Sequence, residues 1–171
     1  MTLQGLRGSL TAIRDGLADG SIMRKVLDPR KDEIMTFQYQ QLFDGKASNG
    51  EDIRPYYTED LKPQGWFHSV ESAQAYSRWK ETGIPYPFKA NRNPDAPNLY
   101  INGKFHSELE CYFLPDTIVI HARTPYANQI VMKYGEGTFG LTAESWGEML
   151  NERGVANDVM KYITNTINGN G

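Results

Sequence analysis

Four side chains that can do chemistry fall close together in this sequence: His106, Glu108, Glu110 and His121. Two imidazoles and a carboxylate are a sufficient donor set for a transition metal, and a metal-bound water would supply a hydrolase with its nucleophile. The donors must, however, converge within about 2.0–2.2 Å of one point. Strand alternation places His106, Glu108 and Glu110 on the polar face of a sheet, His121 on the neighbouring strand could face the same side, and a flat exposed face does not gather ligands in that way. His68 precedes a helix and belongs to its cap region. Cys111 falls in line with Leu109 and Phe113 on an apolar face, where a thiol stays protonated and packs. The carboxylate pairs Glu51/Asp52 and Glu59/Asp60 are neighbours in loops, where solvated charge is the default. Asp44, Ser48 and Asp52 fail as a calcium loop, because Lys46 stands where an oxygen ligand is needed and no glutamate closes the loop at the twelfth position. The stretch Gly135–Gly140 lacks the Lys-Ser/Thr of a phosphate loop, and no serine sits in a nucleophile elbow. No catalytic, cofactor-binding or metal-ligating residue is therefore expected, and no cofactor.

The composition narrows the classes further. Of 171 residues, 39% are hydrophobic and 12% aromatic, with ten Tyr, seven Phe and three Trp, enough for one core and an aromatic surplus suited to contacts. A net charge of −3 argues against a dedicated nucleic-acid binder, which carries a basic excess. The single cysteine excludes an internal disulfide. No apolar run approaches the roughly 18 residues of a membrane span, and no basic segment followed by an apolar stretch opens the chain, so neither a membrane partner nor a secretory signal is expected.

Leu3, Leu6, Leu10, Ile13 and Leu17 recur at spacings of three and four and form one helical stripe, yet Gly5, Gly8, Gly16 and Gly20 lie in or beside it. Each interior glycine costs about 1 kcal/mol relative to Ala, so this helix needs a surface to pack on, its own core or a neighbouring subunit. Asp28-Pro29 starts a second helix over about 29–43, stopped at Asp44-Gly45. Residues 44–66 are irregular, 69–82 helical with Val70, Ala73, Tyr76 and Trp79 on one side, and 84–97 an extended proline-rich loop. Asn102-Gly103 reads as a hairpin turn between Asn98–Ile101 and a strand through Phe105–Phe113, and Thr117–Ala122 supplies a third strand. Helices follow after Thr124-Pro125 and after Thr142, and Val155, Val159, Ile163 and Ile167 give a last helical stripe. The expected fold is α+β: a short antiparallel sheet, a meander over about 98–122, packed by several helices, with an N-terminal helical arm. The expected organisation is an arm over 1–27, one domain over 28–168 with an insertion over about 66–97, and a flexible tail at 169–171.

The order of these motifs carries a resemblance. Leu42-Phe43-Asp44-Gly45 is followed by Ser48-Asn49-Gly50 and Ile53-Arg54-Pro55-Tyr56-Tyr57-Thr58; Leu99-Tyr100-Ile101-Asn102-Gly103-Lys104-Phe105 then leads into the strand pair, and Tyr126-Ala127, Lys133-Tyr134-Gly135 and Phe139-Gly140-Leu141-Thr142 close the series. Over about residues 40–142 the chain resembles the tailed-phage virion-morphogenesis and tail-completion proteins of the head–tail junction. It departs from them at Ile53, where the family carries Trp, at Asn102–Phe105, and in the longer 66–97 segment. The resemblance implies a non-enzymatic structural virion protein, assembled in the host cytoplasm, whose ring joins head to tail at the neck or upper tail. Its partners would be further copies of itself and neighbouring connector or tail proteins, with at most non-specific contact to passing DNA. Candidate subunit-interface residues are Leu3, Leu6, Leu10, Ile13, Leu17, Tyr56, Tyr57, Trp66, Phe67, Tyr86 and Phe88, and candidate lumen-facing residues are Glu108 and Glu110. The alternatives are a small metal-dependent hydrolase using His106 and His121, and a monomeric protein-binding adaptor.

Overall fold

The computed structural model describes residues 2–63, 65–87, 92–114 and 117–169. Its α-helices are α1 (Leu3–Ala18), α2 (Ser21–Leu27), α3 (Lys31–Phe43), α4 (Val70–Thr82), α5 (Lys104–Ser107), α6 (Ala127–Tyr134), α7 (Ala143–Gly147) and α8 (Val155–Ile167), and its strands are β1 (Leu109–Phe113) and β2 (Ile118–Ala122), paired antiparallel. The fold is α+β, dominated by helix. The chain divides into two compact units, 1–34 with 111–119 and 144–171, and 35–110 with 120–143. Helix α3 and the β1–β2 hairpin contribute residues to both.

In the first unit, Ile13 of α1, Ile22 and Leu27 of α2, Met149 and Val155 are buried. Gly16 explains one of the glycines of α1: a Cβ there would lie 2.8 Å from Ile22 Cγ1, so the close approach of α1 to α2 needs its absence. The cost of a helical glycine is offset by packing on α2, and the stripe is split. Ile13 is buried in its own chain, whereas Leu3, Leu10 and Leu17 are 89%, 51% and 49% exposed. Arg30 bridges Asp158 of α8 at 2.5 Å, and this guanidinium holds the Asp158 carboxyl below its usual range.

In the second unit, α3 buries Met35, Leu42 and Phe43 together with two glutamines. Both ends of each buried amide are satisfied by the 138–142 loop. Gly140 N donates to Gln38 Oε1 at 2.8 Å and Gln38 Nε2 donates to Thr138 O at 3.5 Å. Thr142 N donates to Gln41 Oε1 at 2.9 Å and Gln41 Nε2 donates to Gly140 O at 2.8 Å. A buried amide left unpaired would be costly, and these two instead pin a glycine-rich loop to a helix about a hundred residues away.

Two expectations change here. The three-stranded meander is a two-stranded hairpin, because Asn98–Ile101 is not a strand and Asn102-Gly103 is not a hairpin turn. Gly103, at φ 81°, is the left-handed cap that starts the single helical turn α5. The Asn-Gly pair suits a left-handed position in either setting, so the dipeptide does not distinguish them. Helical winding through 104–107 then takes His106 off the exposed strand face and buries it. Helix α4 forms where expected, and its capping box is complete: Ser72 N donates to Ser69 Oγ and Ser69 N donates to Ser72 Oγ, each at 3.2 Å. Ser69→Ala is expected to cost about 1 kcal/mol, read as a shift in the urea midpoint with unchanged slope. The buried face of α4, however, is Ala73, Ser77 and Lys80, with Val70 and Trp79 exposed.

Candidate functional site

The inner face of α4 points one charged group into the interior of the second unit. Lys80 is 1% exposed, at i+3 and i+7 from the buried Ser77 and Ala73. Its Nζ donates to Asn98 Oδ1 and lies 3.2 Å from Tyr57 Oη, and it sits 5.7 Å and 5.8 Å from the ring centroids of Tyr57 and Tyr76.

The partners arrive from irregular segments held by their own backbone bonds. Tyr57 N donates to Asp95 O at 3.0 Å, Thr58 N to Asp95 Oδ1 at 3.1 Å, and Ser77 Oγ to Pro94 O. These three bonds fasten the Tyr57 loop and the proline-rich segment to each other and to α4, and so place Tyr57 and Asn98 on either side of the amine. Ile53 N donates to Gly45 O at 2.7 Å and Ser48 N to Gly137 O at 2.7 Å, so the anchors of the 44–58 segment also lie within its own chain.

Lys80 stands at the floor of a cleft of about 470 Å³. One wall is aromatic: Tyr57 meets Tyr76 edge to face at 5.1 Å. Another is α6 with Ile130, Lys133 and Tyr134, and the rim carries Trp66, Ile101, Lys104 and Tyr126. Lys133 pairs with the buried Asp60 and lies 3.9 Å from the Trp66 ring centroid. No Asp or Glu lines the cleft among the described residues.

The electrostatics follow from that lining. Burial, with the Arg92 charge adding to it, draws the Lys80 amine down from its ordinary 10.5 to about 7. Burial pushes the Tyr57 and Tyr134 phenols well above their usual 10.0, so Tyr57 stays neutral and cannot serve as counter-ion. The arrangement is a desolvated amine with neutral oxygen partners, opening on an apolar cleft. Such a group can hold an anion.

The residues singled out from sequence are dispersed. His106 is enclosed by Phe43, Tyr100 and Phe105 at ring-centroid distances of 5.4, 5.2 and 5.8 Å. Neither of its nitrogens has a hydrogen-bond partner among the described residues, and burial, with the Lys80 charge adding, pushes it down to about 4. His121 stands 3.6 Å from Glu110, whose other oxygen takes Arg123 at 2.5 Å. Glu110 therefore carries its own counter-ion, and Glu108 caps the end of α5. Among the described residues no three His, Cys, Asp or Glu side chains gather as a metal site. Cys111 is half-buried, its thiol pushed up by desolvation. Of the candidate interface residues, Tyr57 is 4% exposed and belongs to the interior, as does Ile13. That placement corrects their assignment to a contact surface: both are spent on their own units. Leu6, Tyr56, Phe67 and Tyr86 are half-buried, Trp66 is 63% exposed, and Phe88 lies outside the described residues.

Lys80 and Asn98 have no sequence signal as a pair. A lysine on a helix reads as solvated, and only the small buried residues Ala73 and Ser77 on the same face hint that this one turns inward. Comparison with known proteins returned no matching family model, no similar curated protein and no matching solved structure.

Proposed function

We propose that this chain is a structural subunit of a tailed-phage virion, one that self-associates into a ring at the neck or upper tail and joins head to tail. The observation that carries the reading is the exposed half of the α1 stripe. Leu3, Leu10 and Leu17 lie along one helix and stay 89%, 51% and 49% exposed while the same helix buries Ile13. Apolar side chains left in register on a packed helix are a surface for a second chain. A contact made by such a helix on a different patch of the next copy is heterologous and closes into a ring when the rotation permits. The motif order over about residues 40–142 supports the same reading, and the partners are then further copies and the adjoining connector or tail proteins.

The test is mass in solution by light scattering across a concentration series. The expected result is a discrete closed oligomer at high concentration. Leu3→Ser combined with Leu10→Ser is expected to shift the midpoint of assembly at least tenfold higher in concentration. Both positions are solvent-exposed, so thermal unfolding of the protomer is expected to change little. A wild-type chain that stays monomeric at every concentration would count against self-association and favour the adaptor.

A further inference from the structure

We propose that the cleft above Lys80 is a binding site for a small monocarboxylate with a flat apolar body, the carboxylate pairing with the Lys80 amine and the body lying against the aromatic wall. An ammonium has three N–H donors. Those of Lys80 meet two neutral oxygens, Asn98 Oδ1 and Tyr57 Oη, and no carboxylate pairs with it among the described residues. A buried cation without counter-charge is costly, and a ligand that brings one negative charge removes that cost.

The rest of the lining selects the body of the ligand. Tyr57, Tyr76, Phe105, Tyr126, Ile130 and Tyr134 present mostly carbon, and the volume of about 470 Å³ lies within the range of small-molecule sites, about 300–1,000 Å³. The polar side chains of Asn102 and Gln129 also line the cleft and add no charge to it. The charge count selects a carboxylate over a phosphate. Lys133 is already neutralised by Asp60, Lys104 is exposed, and among the described residues no arginine lines the cleft to offer a forked pair of donors, Arg92 acting on Lys80 only through its charge. One buried amine matches one negative charge.

Because the free amine is close to half-protonated near neutral pH, binding an anion fixes its proton, and affinity falls as pH rises through that range. This inference does not depend on ring assembly, since every lining residue belongs to one unit of one chain.

The experiment is calorimetric titration of the full chain with 2-naphthoate and with its uncharged isostere 2-naphthamide, at pH 6.5 and pH 9. At pH 6.5 naphthoate is expected to bind at least tenfold more tightly than the amide. At pH 9 that preference is expected to shrink about tenfold or more while amide binding stays constant. Lys80→Met is expected to abolish the preference, and Ile130→Trp, which fills the cleft without touching the amine, is expected to weaken both ligands. Absence of naphthoate binding up to millimolar concentration overturns the proposal. So does equal affinity for acid and amide at pH 6.5, or a preference that survives in Lys80→Met. Should Lys80→Met fail to fold, the wild-type pH dependence decides, and a preference that does not change with pH overturns it.

Discussion

Lys80→Met is expected to yield a chain whose stability is nearly flat between pH 7 and pH 9.5, where the wild type gains stability steadily. The amine has an ordinary value of 10.5 and a folded value of about 7. Between those two values the unfolded chain binds a proton that the folded chain does not, so stability rises with pH across the window, at about 1.4 kcal/mol per pH unit. Below pH 7 both states are protonated and the folded chain carries the full penalty of a buried ammonium. Above about pH 10 the gain ends, because the buried Tyr57 phenol stays protonated in the folded chain while the unfolded one ionises.

Urea titrations at pH 7, 8, 9 and 9.5 on both proteins give the difference directly. It is expected to close by about 3 kcal/mol over that span, with the variant the more stable at the acid end. Met keeps the length of the side chain and its contact with the Tyr57 and Tyr76 rings. The offsetting loss is that Asn98 Oδ1 gives up its Lys80 donor, though it still accepts from Tyr100 N at 3.3 Å. Parallel curves would mean that Lys80 is solvated and charged throughout, and would remove the basis for an anion site at the same time.

His106→Phe is expected to act on the acid side. The imidazole is enclosed by aromatic rings, has no hydrogen-bond partner among the described residues, and is pushed from 6.5 to about 4. Between those values the unfolded chain takes up a proton that the folded chain refuses, so the wild type loses stability as pH falls from 6.5 to 4, about 3 kcal/mol in all. A phenyl ring of similar size fits the packing of Phe43, Tyr100 and Phe105 and has nothing to protonate. Thermal or urea unfolding from pH 4 to pH 7 is expected to show the acid limb flattened by that amount. The variant is also expected to be at least as stable as the wild type at pH 7, where it removes two buried nitrogens without partners. If the acid limb were unchanged, the loss would have to come from carboxylates elsewhere.

These two residues mark the boundary of what could be read from the chain alone. Helices α1, α3, α4 and α8 were legible because their signals are local. Asp28-Pro29, the Ser69 cap, Gly83 and the four-residue recurrence from Val155 to Ile167 act within a few residues and need no distant partner. The α+β class followed from the same signals. The first strand of the meander failed because Asn-Gly permits a left-handed backbone in a hairpin and at a helix start alike, and the choice between them was made by burial of Phe105 and His106. The inner face of α4 failed because Ala73, Ser77 and Lys80 carry no apolar pattern; they are buried because Tyr57, Pro94 and Asn98, each from a distant segment, meet them there.

Short-range signals were enough to place α1, α3, α4 and α8 and to give the fold class, but not the single turn α5, and they offered no familiar catalytic spacing. Only the tertiary structure decided which polar groups lie inside: Gln38 and Gln41 against the 138–142 loop, His106 among aromatic rings, and Lys80 at the floor of a cleft. Caps and periodicity are short-range free energies written into neighbouring residues, whereas the burial of a charge depends on what long-range packing brings beside it.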